Sequence, residues 1–316
     1  MTDTDKQSYT VVRLNKENLS DLARLHLAVY GKAVSPDFFP KKYNTAFTGV
    51  EYVGVIAYND QQEPVGFYGV IPCFVNYNGK KYLAAQSADT MTHPKHRYKG
   101  LFVDLSNQTF ALCRDSGIHL VFGFPNQHSY HGAVNKLGWQ QTDTMSFFII
   151  PVNASLLARL GNRYGFLQKT YKAYCRWVLK NFILDEKGVQ NSSISDGYGG
   201  VCRDGDYLEY KTYSPTMVIN ISGVKVWLSL RHYLMIGDME GVTDANFSEV
   251  MNGLKRIASR FGKTQIQFHC STGTRLHDLF ASHFPVQPSY PVLFQDFGSP
   301  VPKEKIKFTF ADIDIF

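Results

Sequence analysis

The period of the hydrophobic positions changes several times along the chain, and each change marks an element. Val11 to Leu14 alternates as a short strand. Asn18 to Tyr30 then carries Leu19, Leu22, Leu25 and Val29 at helical spacing, with Gly31 as a stop. Ser35 to Thr48 holds Phe38, Phe39, Pro40, Tyr43 and Phe47 and reads as a surface loop packed by its own aromatics. Tyr52 to Tyr58, Pro64 to Tyr77 and Lys81 to Met91 read as strands, joined by the polar loop Asn59 to Glu63 and by the hairpin pair Asn78-Gly79. Leu101 to Asp115 is helical and closes at Gly117. Leu120 to Phe124 is a short apolar strand, Ser129 to Leu137 a helix stopped by Gly138, and Thr144 to Val152 an alternating strand that would close this first unit.

Gly188 to Gly205 is polar and rich in Gly and Ser, a linker or loop. From Tyr207 the pattern starts again. Val224 to Leu230 and Tyr233 to Met239 are strand-like. Phe247 to Arg260 is helical, with Val250, Leu254, Ile257 and Phe261 on one face, and Gly262 stops it. Gln265 to Cys270 is a strand, Thr274 to Phe284 a short helix, and Val292 to Phe297 a last strand before the tail FTFADIDIF. Strand, long helix, strand, short helix is also the order of Tyr82 to Trp139. The expectation is therefore an α+β fold with a mixed sheet, in two related lobes: 1–152 and 207–316, joined by a basic linker, 153–206.

Composition narrows the class. The chain has 316 residues, 44% hydrophobic and 19% charged, which suits a globular protein. Its five cysteines are scattered with no close pair, the N-terminus is polar, and no apolar run is long enough to span a membrane; the expected setting is cytoplasmic. The net charge of +6 is concentrated. Arg159, Arg163, Lys169, Lys172, Arg176 and Lys180 lie between Pro151 and Leu184 with no acid among them, which leaves the remainder formally neutral. Leu167, Tyr171, Tyr174, Val178 and Phe182 give that stretch an apolar stripe, so it reads as an amphipathic basic helix. A linker helix with its lysines in water is preferred to contact with a membrane surface, and no nucleic-acid partner is expected. The histidines show no ligand spacing with Cys or carboxylates, so no metal is expected, and no GxSxG, HExxH, Walker or Rossmann pattern occurs.

The chemistry lies in the turn HPKHRYKG, between the strand ending at Met91 and the helix from Leu101. A strand that runs through a glycine turn into a helix leaves backbone N–H groups pointing one way. The helix dipole adds positive potential, and Arg97 and Lys99 add full charges, so the turn is an anion site suited to a pyrophosphate. Arg97-Tyr98-Lys99-Gly100-Leu101-Phe102 resembles the (Q/R)-x-x-G-x-(G/A) acetyl-CoA loop of the GNAT N-acetyltransferases, with Phe102 where that family has a small residue. GFPN and KLGW, further on, resemble the family's later strand end and its Y-E-K-L-G-F segment. The resemblance covers about residues 10 to 150 and implies the GNAT acyl-CoA N-acyltransferase fold, with a second, degenerate lobe of the same kind. That lobe has the acidic GDMEGVTDAN where the basic turn stands in the first, so it would shape the acceptor side instead of binding CoA.

The resemblance also implies roles. Backbone groups from Tyr98 to Phe102 would hold the pyrophosphate of acetyl-CoA, and those of Met91 and Thr92 its pantetheine arm. Asp89, just before the turn, is the expected general base, acting through water, or else a structural Asp bonded to neighbouring backbone; His93 is a second candidate base, read first as a strand-end cap. Val134 occupies the position where the family often has a Tyr acid, and Tyr130, one turn earlier, is the substitute. Asn126 and Ser129 would bond the pantetheine or cap the following helix. The Ser35 to Thr48 stretch would line the acceptor side, and the tail, with Asp312, Asp314 and the chain-terminal carboxylate of Phe316, offers a further base or an edge strand. The expected activity is direct transfer of an acetyl group to a primary amine, an amino sugar or aminoacyl group, on a small molecule or glycan held between the lobes. The alternatives are a non-catalytic acyl-CoA sensor or scaffold, or a peripheral membrane protein using the basic helix.

Overall fold

The computed structural model describes residues 8–154, 173–174 and 177–316. They form two compact units. The first takes the residues up to Val75, Lys80–Thr142 and Pro291–Lys303; the second takes Asn76–Gly79, Asp143–Tyr290 and Glu304–Phe316.

The first unit contains β1 (Thr10–Arg13), α1 (Leu19–Tyr30), α2 (Phe38–Tyr43), β2 (Gly54–Tyr58), β3 (Pro64–Tyr77), β4 (Lys80–Thr92), α3 (Leu101–Asp115), β5 (Leu120–Gly123) and α4 (Gln127–Leu137). The strand order is β1-β2-β3-β4-β5. β1, β2 and β3 pair antiparallel, while β4 and β5 are parallel, joined by the crossover helix α3. One face of the sheet packs Val55, Ala57, Tyr68, Val70, Ala85 and Val121 against Leu101, Leu105 and Phe110 of α3 and Ala133 and Leu137 of α4. The other face meets α2, whose Tyr43 ring stands edge-on to Phe67 at 5.6 Å. β3 shows how closely both layers approach. A Cβ on Gly66 would lie 2.9 Å from Leu105, and one on Gly69 would lie 2.9 Å from the Tyr43 hydroxyl.

Two elements depart from the sequence reading. Ser35 to Thr48 is not all loop, because α2 forms within it. Pro40 falls in the first turn, where its missing N–H has no helical partner to lose, and Phe39 and Tyr43, four residues apart, bury one face. The last strand also changes place. β5 is buried along its whole length, so both its edges need hydrogen-bonding partners. Its outer partner comes from far along the chain: Leu293–Asp296, within β13 (Gln287–Asp296), pairs antiparallel with Leu120–Gly123. Thr144 to Val152, expected to close the first unit, belongs instead to β6 (Gln140–Pro151), whose Ser146–Pro151 pairs with β12 in the second unit.

The second unit orders its strands β6-β12-β11-β10-β9-β7, with β7 (Ile183–Leu184), β9 (Met217–Ile221), β10 (Val224–Leu230), β11 (Leu234–Glu240) and β12 (Gln265–Cys270). β8 (Gly200–Val201), α5 (Ser192–Ser195), α6 (Gly205–Tyr210), α7 (Asp244–Arg260) and α8 (Arg275–Ala281) complete it. β11 and β12 are parallel across α7, which repeats β4-α3-β5. Its core sets Val250, Leu254 and Ile257 of α7 on Ile236, Ile266 and Phe268. The tail is a turn over Phe310–Asp312 and not an edge strand; Phe316 fills the space beside Gly237 and meets Trp227 edge-on at 5.5 Å. Of the expected basic helix, Lys169, Lys172 and Arg176 lie outside the described residues; Val178 is buried in the core and Lys180 is exposed. No helix among the described residues is long and apolar enough to cross a membrane.

Candidate functional site

β4 and β5 stay together only briefly. Their parallel register joins Ala85 to Val121 and Gln86 to Phe122. β5 then ends at Gly123, while β4 continues to Thr92. On its other side β4 remains with β3, and the His93 amide donates to the Val65 carbonyl at 2.8 Å. Among the described residues, the edge of β4 facing β5 is therefore left without a strand partner from Ser87 to Thr92, about 20 Å at 3.3 Å per residue. Backbone donors and acceptors along such an edge suit an extended ligand carrying amides. Met91 and Thr92 lie at its far end.

That edge leads into the basic turn. His93 caps Pro94–His96, its ring accepting from the Lys95 amide, which is the capping role read for it. His96 is buried, 3.0 Å from the Tyr9 hydroxyl, and burial followed by Lys99 and His93 lowers its pKa. Arg97 Nε lies 3.5 Å from the Thr92 carbonyl. Tyr98 takes a left-handed φ of 65° and is fully exposed. Gly100 follows at φ 85°, with only Asp104 Oδ2, 3.8 Å away, near where a Cβ would stand.

No side chain caps α3. The Val103 and Asp104 amides turn back to the Gly100 carbonyl at 3.0 and 3.2 Å, leaving those of Gly100, Leu101 and Phe102 without an acceptor inside the helix. The equivalent helix of the second unit is closed differently. Thr243 and Asn246 form a reciprocal capping box at the start of α7, so its amides are already served. Of the acids read in that stretch, Asp238 is not in the turn at all. It lies in β11, fully buried and 2.6 Å from Arg203, which also holds Asp312 at 2.8 Å. Asp312 is thereby a partner in a buried structural cluster.

Phe102 does not obstruct the turn. Its ring points at α4, where a Cβ on Gly132 would be 2.8 Å from it. The missing side chain at Gly132 accommodates the large one at Phe102.

The face opposite α3 carries the polar groups. Ser87 bonds the Tyr68 hydroxyl at 2.9 Å, on the α3 side. Asp89, two residues on, reaches α2: its Oδ2 accepts from the Tyr43 hydroxyl at 2.8 Å and pairs with Lys42 Nζ at 2.9 Å. Residues two apart in a strand share a face, so the alternation of β4 breaks near Ala88, beside the point where β5 departs. Lys42 is almost wholly buried in this pair. Gln86, at the apex of the opening, is 5% exposed, and its Nε2 has no hydrogen-bond partner among the described residues.

On α4, Asn126 is the N-cap, its side chain accepting from the His128 and Ser129 amides. The cap thus comes from Asn126, and the Ser129 hydroxyl only turns back on it at 3.4 Å. The Tyr130 hydroxyl donates to Gln141 Oε1 at 2.7 Å, and Val134, half-buried, packs against the core. Among the described residues no group of His, Cys, Asp and Glu is arranged to hold a metal ion. Cys73, Cys113, Cys202 and Cys270 are buried. Lys42, Tyr43 and Gln86 had no signal in the sequence beyond their place beside the turn and strand already singled out.

Residues 10–142 match the family model described as an acetyltransferase (GNAT) domain. No curated protein matches the chain. Among solved structures, it is similar to a conserved protein of unknown function from Enterococcus faecalis V583, a probable N-acyltransferase, at TM-score 0.60 and 15% identity, covering 92% of this chain and 73% of that one. It is also similar to GCN5-related N-acetyltransferases from Kribbella flavida (TM-score 0.58, 12% identity, 93% and 72% covered) and Anabaena variabilis ATCC 29413 (0.55, 12%, 92% and 73%). At these identities the likeness is one of fold.

Proposed function

We propose, from the match of residues 10–142 to the acetyltransferase (GNAT) family model, that the chain is an acyltransferase and moves an acetyl group from acetyl-CoA directly to a primary amine. The observation that carries this reading is the strandless edge of β4, Ser87 to Thr92, ending at the uncapped start of α3. A pantetheine arm would pair along Met91 and Thr92, with Asn126 and Ser129 on the facing helix start. The diphosphate would meet the amides from Tyr98 to Phe102, with Arg97 and Lys99 adding charge. The open space at Gly100 fits that ligand; the exposed Asp104 carboxylate opposes it and is outweighed by the two cations.

In the transfer, the amine nitrogen attacks the thioester carbonyl carbon and the C=O electron pair moves to oxygen. The carbonyl then re-forms, and the C–S bond breaks with its pair leaving on the thiolate. Asp89 takes the proton lost by nitrogen through a water, and Tyr130 returns one to sulfur. Lys42 and Tyr43 hold Asp89 on the α2 face, so the amine would approach from that side. The acceptor class that fits is a small-molecule or glycan amine, an amino sugar or aminoacyl group. A non-catalytic acyl-CoA sensor is the second reading, favoured by Val134 packed against the core and by the Lys42 partner already on Asp89.

Calorimetric titration with CoA, together with free-thiol release from acetyl-CoA over a panel of amino sugars and aminoacyl amines, separates the two. Enzyme activity predicts amine-dependent thiol release that Asp89→Asn lowers by about 10²-fold or more in kcat. CoA binding without thiol release from any amine selects the sensor.

A further inference from the structure

Gln86 is not explained by packing. It stands on β4 at the last residue paired with β5, opposite Phe122, so the opening begins at its own peptide. Ala85 and Ser87 turn to the α3 side, through the core cluster and the Tyr68 hydroxyl, so Gln86 turns to the other face. There Asp89 also emerges, held by Lys42 and Tyr43. An amide buried to 95% with Nε2 unbonded is costly, and apolar side chains of similar size would fill the same space without that cost. A buried donor kept at the apex of a ligand groove is a group waiting for an acceptor that arrives with the ligand.

We infer that Gln86 Nε2 is a catalytic hydrogen-bond donor to the acyl oxygen, serving the negative charge that develops there when the amine adds to the carbonyl. This rests on the acetyl-transfer reading above. The chemistry needs such a donor at one place only. The C=O pair collects on oxygen as the C–N bond forms and returns when the C–S bond breaks, and a fixed donor in a dry pocket stabilises that passing charge without having to reorganise. The place also fits the chain's layout. A ligand paired along β4 from the turn toward the apex brings its far end to Gln86, and Asp89 serves the nitrogen on the same face. The amide stays neutral throughout and exchanges no proton, so Asp89 and Tyr130 keep the proton transfers.

The test uses the full chain, acetyl-CoA and the most active amine of the panel, comparing wild type with Gln86→Met and Gln86→Leu. Thermal midpoints, calorimetric CoA affinity and steady-state thiol release are measured on each. The inference predicts midpoints equal to or above wild type, CoA affinity within about twofold, and kcat lower by about 10²- to 10³-fold, the loss that follows removal of one oxyanion donor. Both variants turning over at the wild-type rate would overturn it and leave the transfer reading intact. A drop in CoA affinity with kcat unchanged would also overturn it, because the amide then serves the coenzyme arm. A lower midpoint in both variants with unchanged kcat marks a structural amide and overturns it equally. Wild type releasing no thiol with any amine removes the transfer reading and this inference together.

Discussion

The Lys42 ammonium lies 2.9 Å from Oδ2 of Asp89 with 3% of its side chain exposed, whereas Asp89 keeps 19%. The cation is buried and the carboxylate is the member that faces out. Asp89→Leu should therefore leave the buried Lys42 ammonium without its carboxylate, at a cost of roughly 3–5 kcal/mol. Adding Lys42→Met should recover most of that loss. Urea unfolding of the two single variants and the double variant checks it; additive losses would show that the pair is not coupled.

Gly100 takes φ 85° in open surroundings, so its constraint is conformational and not steric. Gly100→Val forces a β-branched residue into the left-handed region at the mouth of the anion site, a strain of about 1–3 kcal/mol. The expectation is a first unit that still folds and a CoA affinity reduced at least tenfold in calorimetry. Unchanged affinity would remove the turn from the binding site.

Phe102 and Gly132 fit as a large and a small partner. Gly132→Ala puts a methyl 2.8 Å from the Phe102 ring and should destabilise by about 1–3 kcal/mol despite the better helix propensity of alanine. Gly132→Ala in a Phe102→Leu background should cost less than in wild type. A double-mutant cycle followed by thermal unfolding reads the difference.

The second unit supplies a pH test. His269 lies between Phe147, 4.2 Å away, and Phe310, 4.7 Å away, with Nδ1 2.6 Å from the Ser289 hydroxyl. Burial pushes its pKa down to about 4. Between pH 6.5 and about 4 the unfolded chain binds a proton here that the folded chain refuses. The contribution is complete above pH 6.5 and is lost, by roughly 3 kcal/mol, as pH falls through that window. Urea midpoints at pH 7.5 and 4.5 should differ less in His269→Gln than in wild type; equal differences would place the acid sensitivity elsewhere.

Local patterns were legible in detail. Leu101 to Asp115 and Gln265 to Cys270 appear with the bounds their periodicity and glycine stops indicate, because period and caps act within a few residues. The basic turn was legible for the same reason: Arg97, Lys99 and Gly100 are neighbours in sequence. α2 was hidden by Pro40, since a proline reads as a breaker unless its place in the first turn is known.

The sequence by itself determined β2 to β5 with α3 and α4, β10 to β12 with α7, the repeat of strand, helix and strand in two halves, and a cationic glycine turn before α3. Tertiary structure alone decided that Leu293–Asp296 completes the first unit beside β5, that β6 runs with β12, and that Lys42 and Tyr43 meet Asp89. It alone left Gln86 Nε2 buried without a hydrogen-bond partner among the described residues. The division has a physical cause. Periodicity and turn chemistry come from bonded neighbours, whereas strand partners and buried ion pairs are chosen by whichever distant segment best serves an edge or a charge removed from water.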